Sequence, residues 1–492
     1  MAVDLSSEKD DSFKPNLHNV HQILEGKIVG EHHIRMALFT TWILSDRNVL
    51  IQGPRSSGKT WVSDDVAEKF LGMRQSFSDD ELGDDTGKCY PITLGSDKSA
   101  WYQIEQINAA SHILIYEMQQ MPKDFLEVLK KWGEGKEATY KVTQNVGGIK
   151  GIKPYVLFPR AFVLCLADEE ELKVGEQFMS RVVVLRTDNT LEQTDAIKIR
   201  HADIAKGLYK PEDVENNLLG KIKEHISTMP PFTQLKYIHP VADMFVDVIP
   251  SFFTDARRDF PKYLDNCYGI ARFYWKDRIV GKNKDGDKLM FVTPQDMYLN
   301  HIIYGQISVE SSLKCSSTDR TMIEIIRVSP NKLKAREVQK ELRLNDINIS
   351  VHMVSRHLSK LADIGYIERD KKANITFYES GEMFENFSTH INWKDVIKSC
   401  QEYIKEHYPT IYDKYNERYC INPTVIHPFS GKVINLLEIE DKELEPVKPS
   451  NDGLNKFDKP KEEPKEKKEE LIGEYDEEER EEDIVEKFVE NE

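Results

Sequence analysis

Gly53-Pro54-Arg55-Ser56-Ser57-Gly58-Lys59-Thr60 is the stretch of this chain whose residue types and spacing could do chemistry most directly. Glycine at the first and sixth positions, followed by lysine and a hydroxyl residue, describes a loop whose successive backbone N–H groups can surround phosphate oxygens. Gly53 and Gly58 let the backbone approach an anion closely. Lys59 would neutralise terminal phosphates, and Thr60 would place a hydroxyl on a magnesium ion. Such a loop must leave a buried strand and open into a helix, whose N-terminus adds partial positive charge. Both neighbours are present: Val49 to Ile51 reads as a buried strand, and Trp61 to Leu71 as a helix. A chance match in a surface loop would lack them.

A second acidic group is needed at the end of a neighbouring strand, where it could orient an attacking water. Glu117 follows the apolar run His112 to Tyr116 directly and is the candidate. The plainer alternative is a carboxylate that merely ends a buried strand in solvent.

The elements that must position these residues follow from the hydrophobic pattern. Apolar stretches at Tyr90 to Leu94, His112 to Tyr116, Ala161 to Ala167 and Val182 to Leu185 alternate with helical segments at Trp101 to Ala110 and Lys123 to Trp132. That alternation predicts an α/β fold with a parallel sheet covered on both faces, filling residues 17–192. Residues 193–310 read as a mainly helical lid. In 317–381, helices at Arg320 to Val328, Ala335 to Leu342 and Ser350 to Ile364 precede an alternating segment, which predicts a winged helix. A small helical extension over 382–437 follows, and the composition of 1–16 and 438–492 predicts disorder.

Composition bounds the rest. The 492 residues are 39% hydrophobic and carry a formal net charge of −17. The segment from Glu440 to Glu492 holds 22 acidic and 10 basic residues, so it accounts for −12 of that charge and leaves the remainder near balance at −5. Basic patches for an anionic partner are therefore compatible with the acidic total, and the tail is a candidate for protein partners. The six cysteines show no CxxC pair and no zinc-ligand spacing, and His32, His33 and His201 show none either. No run of eighteen apolar residues occurs and the N-terminus lacks a signal-like apolar centre, so a soluble protein is expected, cytoplasmic or nucleoid-associated, with no membrane partner.

The order of these parts resembles an AAA+ ATPase, and more narrowly the helicase-type clade that holds the MCM replicative helicases and the MoxR-type ATPases. IVGEHHIRMALFTTWILSDRNVLIQGPRSSGKT is similar to the clade's entry helix and P-loop, and ILIYEMQQMPKDFLEVLKKWGEG to its second acidic strand and following helix. EATYKVTQNVGGIKGIKPYVLFPR occupies the place of the clade's inserted β-hairpin, and its Asn-Val-Gly-Gly turn suits one. The resemblance implies ATP and Mg2+ as cofactors, a homo-oligomeric ring, hexameric in the family, and ATP hydrolysis coupled to DNA replication or remodelling. It also implies roles for particular residues. Asp168 falls nearest the sensor position after the strand FVLCLA. FMSRVVVLR places Arg181 as an arginine finger for a neighbouring subunit, and TDARRDFPKYL places the lid arginine of the same subunit at Arg258, or alternatively Arg257. One departure stands out: the family's Asp-Glu pair is here Tyr116-Glu117, which points to slow hydrolysis.

Two segments could meet DNA. Lys141, Lys150 and Lys153 on the inserted hairpin suit phosphate contacts inside a ring, although a solvated loop would look the same. In the winged helix, Ser350, His352, Ser355, Arg356 and Lys360 could face a major groove, with Val351, Val354, Leu358 and Leu361 turned to the core and Lys371 and Lys372 in the wing. Three functions remain open from sequence: a DNA-dependent motor, an ATP-gated origin-binding or regulatory switch that hydrolyses poorly, and a MoxR-like chaperone whose winged helix binds protein.

Overall fold

Val49-Leu50-Ile51 is fully buried, and its partners in the computed structural model show why. The strands are β1 (Val49–Gly53), β2 (Cys89–Ile92), β3 (His112–Ile115), an inserted hairpin of β4 (Ala138–Val146) and β5 (Ile149–Leu157), then β6 (Ala161–Ala167) and β7 (Val183–Arg186). Five of them form one parallel sheet in the order β2-β3-β6-β1-β7. Alternate residues along each strand enter different cores. Leu50, Ile113, Ile115, Phe162 and Leu164 pack against Ile107, Phe125, Val128 and Trp132 of the helices Ile104–Ala109 and Lys123–Trp132. Val49, Ile51, Leu114, Val163 and Cys165 pack against Val62, Val66 and Phe70 of the helix Lys59–Phe70. A sheet covered on both faces needs apolar residues at every position, which is why these strands read as continuous runs.

The structure describes residues 13–439, apart from 26–28, 54, 75–86, 93–100, 102, 117–121, 147–148, 168–175, 188–190, 209–215, 250–254, 284–285, 306, 309–310, 312–316, 345–346, 348, 373–374 and 381–390. The sequence expectations for Pro54, Glu117, Asp168, the lead-in up to residue 12 and the tail from residue 440 lie outside the described residues.

The structure adds detail to these elements. The segment before β1 is two helices, Leu17–Glu25 and His32–Leu38, and the second continues as a wider π-type turn over Phe39–Leu44 that carries Trp42 into the core. The lid is not wholly helical: β8 (Lys236–Ile238), β9 (Val280–Lys282) and β10 (Lys288–Phe291) form a three-stranded sheet. Leu289, Met290 and Phe291 are buried there, and β10 pairs on both sides. The extension after the winged-helix region likewise adds a hairpin, β13 (Thr424–Ile426) and β14 (Val433–Asn435), to its helices Trp393–His407 and Pro409–Tyr419.

The long lid helix Ala256–Phe273 is tied to the P-loop half by a buried polar chain. Thr41 Oγ1 donates to Asn266 Oδ1 (3.1 Å), Asn266 Nδ2 to Asn300 Oδ1 (2.7 Å) and Asn300 Nδ2 to the Tyr263 carbonyl (3.2 Å). Arg47 and Asp265 add an ion pair at its edge. A satisfied buried network of this kind fixes one packing arrangement, since any other leaves polar groups unpaired.

Residues 317–380 form three helices, Ser317–Val328, Ala335–Leu344 and Val351–Ile364, followed by the hairpin β11 (Ile367–Lys372) and β12 (Ile375–Ser380). Gly365, at φ 91°, closes the third helix in the left-handed conformation that only glycine adopts without strain, and turns the chain into β11. Leu333 bridges Tyr378, so the hairpin also gathers in the segment between the first two helices.

Candidate phosphate-binding site

The P-loop leaves β1 at Gly53, the C-terminal edge of the sheet. After β1 the chain crosses to β2, returns through β3 and β6 to β1's flank, and then takes β7 on the other side. β1 is therefore the point where the winding reverses, the place in an open parallel sheet where a crevice forms. Close packing shapes the loop. A Cβ on Gly53 would stand 1.9 Å from Thr187 Oγ1 and 2.8 Å from Ser57 Oγ, so a larger residue would have to displace both side chains. Thr187 Oγ1 donates to Ser57 Oγ (2.8 Å), which ties the loop to the end of β7. Ser56 (φ 64°) and Gly58 (φ 82°) both take the left-handed conformation that curls the loop's N–H groups inward.

Lys59 Nζ donates to the Gly53 carbonyl (2.9 Å) and Ser57 Oγ (3.3 Å), which holds the ammonium over the loop. The helix Lys59–Phe70 begins at Gly58 with no side-chain cap and no acid in its first turn, so nothing from the side chains competes for its leading N–H groups. Open space lies above the position a Gly58 Cβ would occupy. These features fit a multiply charged phosphate group: aligned donors, a fixed cation and a helix N-terminus. Thr60 is exposed beside them, and its hydroxyl hydrogen-bonds with Cys165 Sγ of β6. Burial pushes the Cys165 thiol up to about 11, so it is present as the neutral thiol.

Tyr116, directly after β3, is half-buried and belongs to the same side of the sheet as the P-loop helix. Its phenol donates to the carboxylate of Asp64, and burial together with that carboxylate holds its proton well above the usual tyrosine range.

The two arginines are not brought to the P-loop. Arg181 lies two residues before β7, whose first residue, Val183, pairs with Val49 at the start of β1. Arg258 Nη1 donates to Ser180 Oγ, and Lys262 Nζ, one turn on, to the Val182 carbonyl (2.9 Å). Both arginines thus sit at the edge where the strands begin, separated from the loop by the length of β1, roughly 13 Å at ~3.3 Å per residue. The buried polar chain that seats the lid helix is the physical reason. Arg181 pairs with Glu134, and Lys136, Arg181 and Arg258 together hold that carboxylate below its usual range. Placement of Arg258 beside its own subunit's nucleotide does not follow from this geometry.

On the hairpin β4–β5, Lys141 is exposed, and the backbone register pairs it with Pro154, Asn145 with Lys150 and Val142 with Lys153. On the helix Val351–Ile364, His352, Arg356 and Lys360 are exposed at four-residue spacing and form one stripe, while Val354, Leu358 and Leu361 are buried. Val351 is only half-buried and Ser355 lies between the faces. Ser350 is the helix cap, its hydroxyl accepting from Met353 N (3.3 Å). Lys371 and Lys372 are exposed on β11, with Lys372 3.3 Å from Asp370.

Sequence reasoning missed two groupings. One is Asp64 with Tyr116. The other is His21, Glu25 and His32, whose ligand atoms lie within 4.8 Å of one another although no metal spacing marks them in the sequence. Burial depresses His21 to about 3 and His32 to about 4, so both rings are neutral. Arg35 is fully buried and its Nη2 donates to His32 Nδ1 (2.9 Å). The two imidazoles thus pack as neutral rings beside the buried Arg35 guanidinium.

No family model and no curated protein matches the chain. Solved structures are similar to it at low identity. A candidate ATPase from Cytophaga hutchinsonii shares 12% identity over 58% of this chain and 85% of that one, with a TM-score of 0.33. A full-length MCM homolog from Methanopyrus kandleri shares 12% over 60% of this chain and 59% of its own, also at 0.33, so the match spans about three fifths of that protein. SCCmec type IV Cch, an active helicase, shares 13% over 76% of this chain and 69% of its own at 0.29. The fold described above rests on strand order and register, not on these likenesses. Among the described residues no helix is long and apolar enough to cross a membrane.

Proposed function

We propose that this chain is a DNA-dependent AAA+ ATPase that binds ATP and magnesium at the P-loop, assembles as a homo-oligomeric ring and engages duplex DNA through a winged helix at residues 317–381. The observation that carries the reading is the loop itself: inward-curled glycine-flanked backbone, a pinned Lys59 and an uncapped helix start, all at the reversal point of a parallel sheet. In this reading Thr60 reaches the magnesium ion, which would offset phosphate charge, Glu117 orients water, and Asp168 senses the terminal phosphate.

The sheet's two ends favour shared sites. In this reading Arg181 serves the nucleotide of an adjacent subunit, and the bond from Arg258 to Ser180, on the edge opposite the P-loop, favours the same role for Arg258 over one at its own subunit's nucleotide. Arginines of this kind contribute about 10³-fold or more to phosphoryl transfer. Arg181→Ala chains and Lys59→Ala chains should each be inactive alone, yet mixing them should restore turnover, because each supplies what the other lacks. A steady-state ATPase assay on the mixture checks this. Absence of recovery from stably mixed rings would count against shared sites.

For DNA, the stripe of His352, Arg356 and Lys360 lies on the exposed face of the third helix, the arrangement of a recognition helix. Replacing Arg356 and Lys360 by alanine should weaken duplex binding by about tenfold or more and reduce the slope of log affinity against log salt by about 2. Fluorescence anisotropy at several salt concentrations measures both. Tyr116 supports a second reading, an ATP-gated switch with poor hydrolysis, since the strand end bears a phenol where an acid would serve the metal. Single-turnover kinetics separates the two: brisk, DNA-stimulated turnover supports the motor, and tight ATP binding without turnover supports the switch.

A further inference from the structure

We propose that Asp64, on the P-loop helix, is the carboxylate of the magnesium site, and that Tyr116 is the residue that aims it. The proposal rests on the nucleotide reading above and extends it to a residue that no motif marks.

Magnesium demands hard oxygen ligands and is ordinarily held by one or two carboxylates together with substrate phosphates. Thr60 supplies a neutral hydroxyl, so a carboxylate must come from nearby. Asp64 is four residues, one helical turn, beyond Thr60, and residues so spaced share a face of the helix. Side chains on a helix lean toward its N-terminus, which inclines the Asp64 carboxylate toward Thr60. Asp65, the adjacent acid, is engaged elsewhere: it is buried and lies 3.0 Å from Lys69 Nζ.

Three contacts define the cluster. Tyr116 donates its phenolic proton to Asp64. Thr60 hydrogen-bonds with Cys165 Sγ, and Ser63 Oγ lies 3.7 Å from the same sulfur. Register places Tyr116 level with that cysteine, because Ile115 pairs with Leu164. Thr60, Asp64 and Tyr116 therefore converge above one position on β6. A phenol bonded to a carboxylate donates to it and restricts its rotation. Tyrosine also reaches farther than aspartate, so at the strand end it meets the helix carboxylate instead of replacing it. The negative charge has moved from the strand to the helix, and the strand supplies the group that orients it.

The test is calorimetric titration of ATP into the full-length protein, once with Mg2+ and once with EDTA. Wild type should bind more tightly with Mg2+. Asp64→Asn should lose about tenfold in affinity with Mg2+ and remain at the wild-type value in EDTA, a split that a folding defect does not produce. Tyr116→Phe should lose a few-fold in the Mg2+ arm alone. The double variant Asp64→Asn/Tyr116→Asp should recover Mg2+ dependence by returning the charge to the strand. Electron paramagnetic resonance of Mn2+ with ATP should show the same order of bound fractions without reference to turnover. Unaltered Mg2+ dependence in Asp64→Asn overturns the proposal while leaving the nucleotide site standing. Failure of wild type to bind ATP in both buffers overturns the nucleotide reading itself.

Discussion

Lys59→Ala should bind ATP about a hundredfold more weakly than wild type, to the point where calorimetry at micromolar protein records no saturable heat. The ammonium is already held over the loop by Gly53 and Ser57, so it meets phosphate without first being ordered, and little entropy is lost on binding. Removing one partner of a charge-assisted contact to a polyanion costs roughly 3 kcal/mol, which is about a hundredfold in affinity. The fold should tolerate the change. Lys59 is half-exposed, its partners are a loop carbonyl and a loop hydroxyl, and truncation opens no apolar cavity. A melting temperature within a few degrees of wild type, with unaltered DNA affinity through 317–381, is the accompanying result. ATP binding by Lys59→Ala at wild-type strength would remove the basis of the nucleotide assignment.

Glu117→Gln should behave in the opposite way, with binding retained and turnover lost. A carboxylate that orients or deprotonates an attacking water contributes roughly 10²–10⁴-fold to rate, and glutamine keeps the shape without the charge. In sequence it comes directly after Tyr116, and β3 ends at Ile115. The measurement is a pair: ATP affinity by calorimetry and phosphate release under saturating nucleotide. Equal turnover in wild type and Glu117→Gln would point to another base.

Much of this fold is legible in the residue pattern because parallel strands covered on both faces advertise themselves. The strands through Leu50, Leu114 and Leu164 lie where uninterrupted Val, Ile and Leu predict them, and the P-loop lies between the strand and helix its chemistry requires. The helix Lys123–Trp132 matches its expected bounds because its apolar residues recur at helical spacing. The lid sheet was not legible. Lys236–Ile238 and Val280–Lys282 are three residues each, too short for a period-two signal, and they become strands only because β10 lies between them. Asp64 is hidden for a different reason: an acid in the interior of an amphipathic helix reads as a solvated charge, and its partner is 52 residues away, across the sheet. Arg258 lies far from the loop because of Asn266 and Asn300, buried amides whose pairing no local spacing announces. Contacts between distant segments decide what such polar groups do, and residue spacing records only near neighbours.

Strand β7 has a consequence for how a ring of such chains would work. At one end it runs into Thr187, whose hydroxyl touches the phosphate loop at Ser57; at the other it starts just after Ser180 and Arg181. In the ring proposed above, a nucleotide that displaced Thr187 would act on the same four-residue strand that leads back to Arg181, so a single strand would join one pocket to the residue proposed for the next.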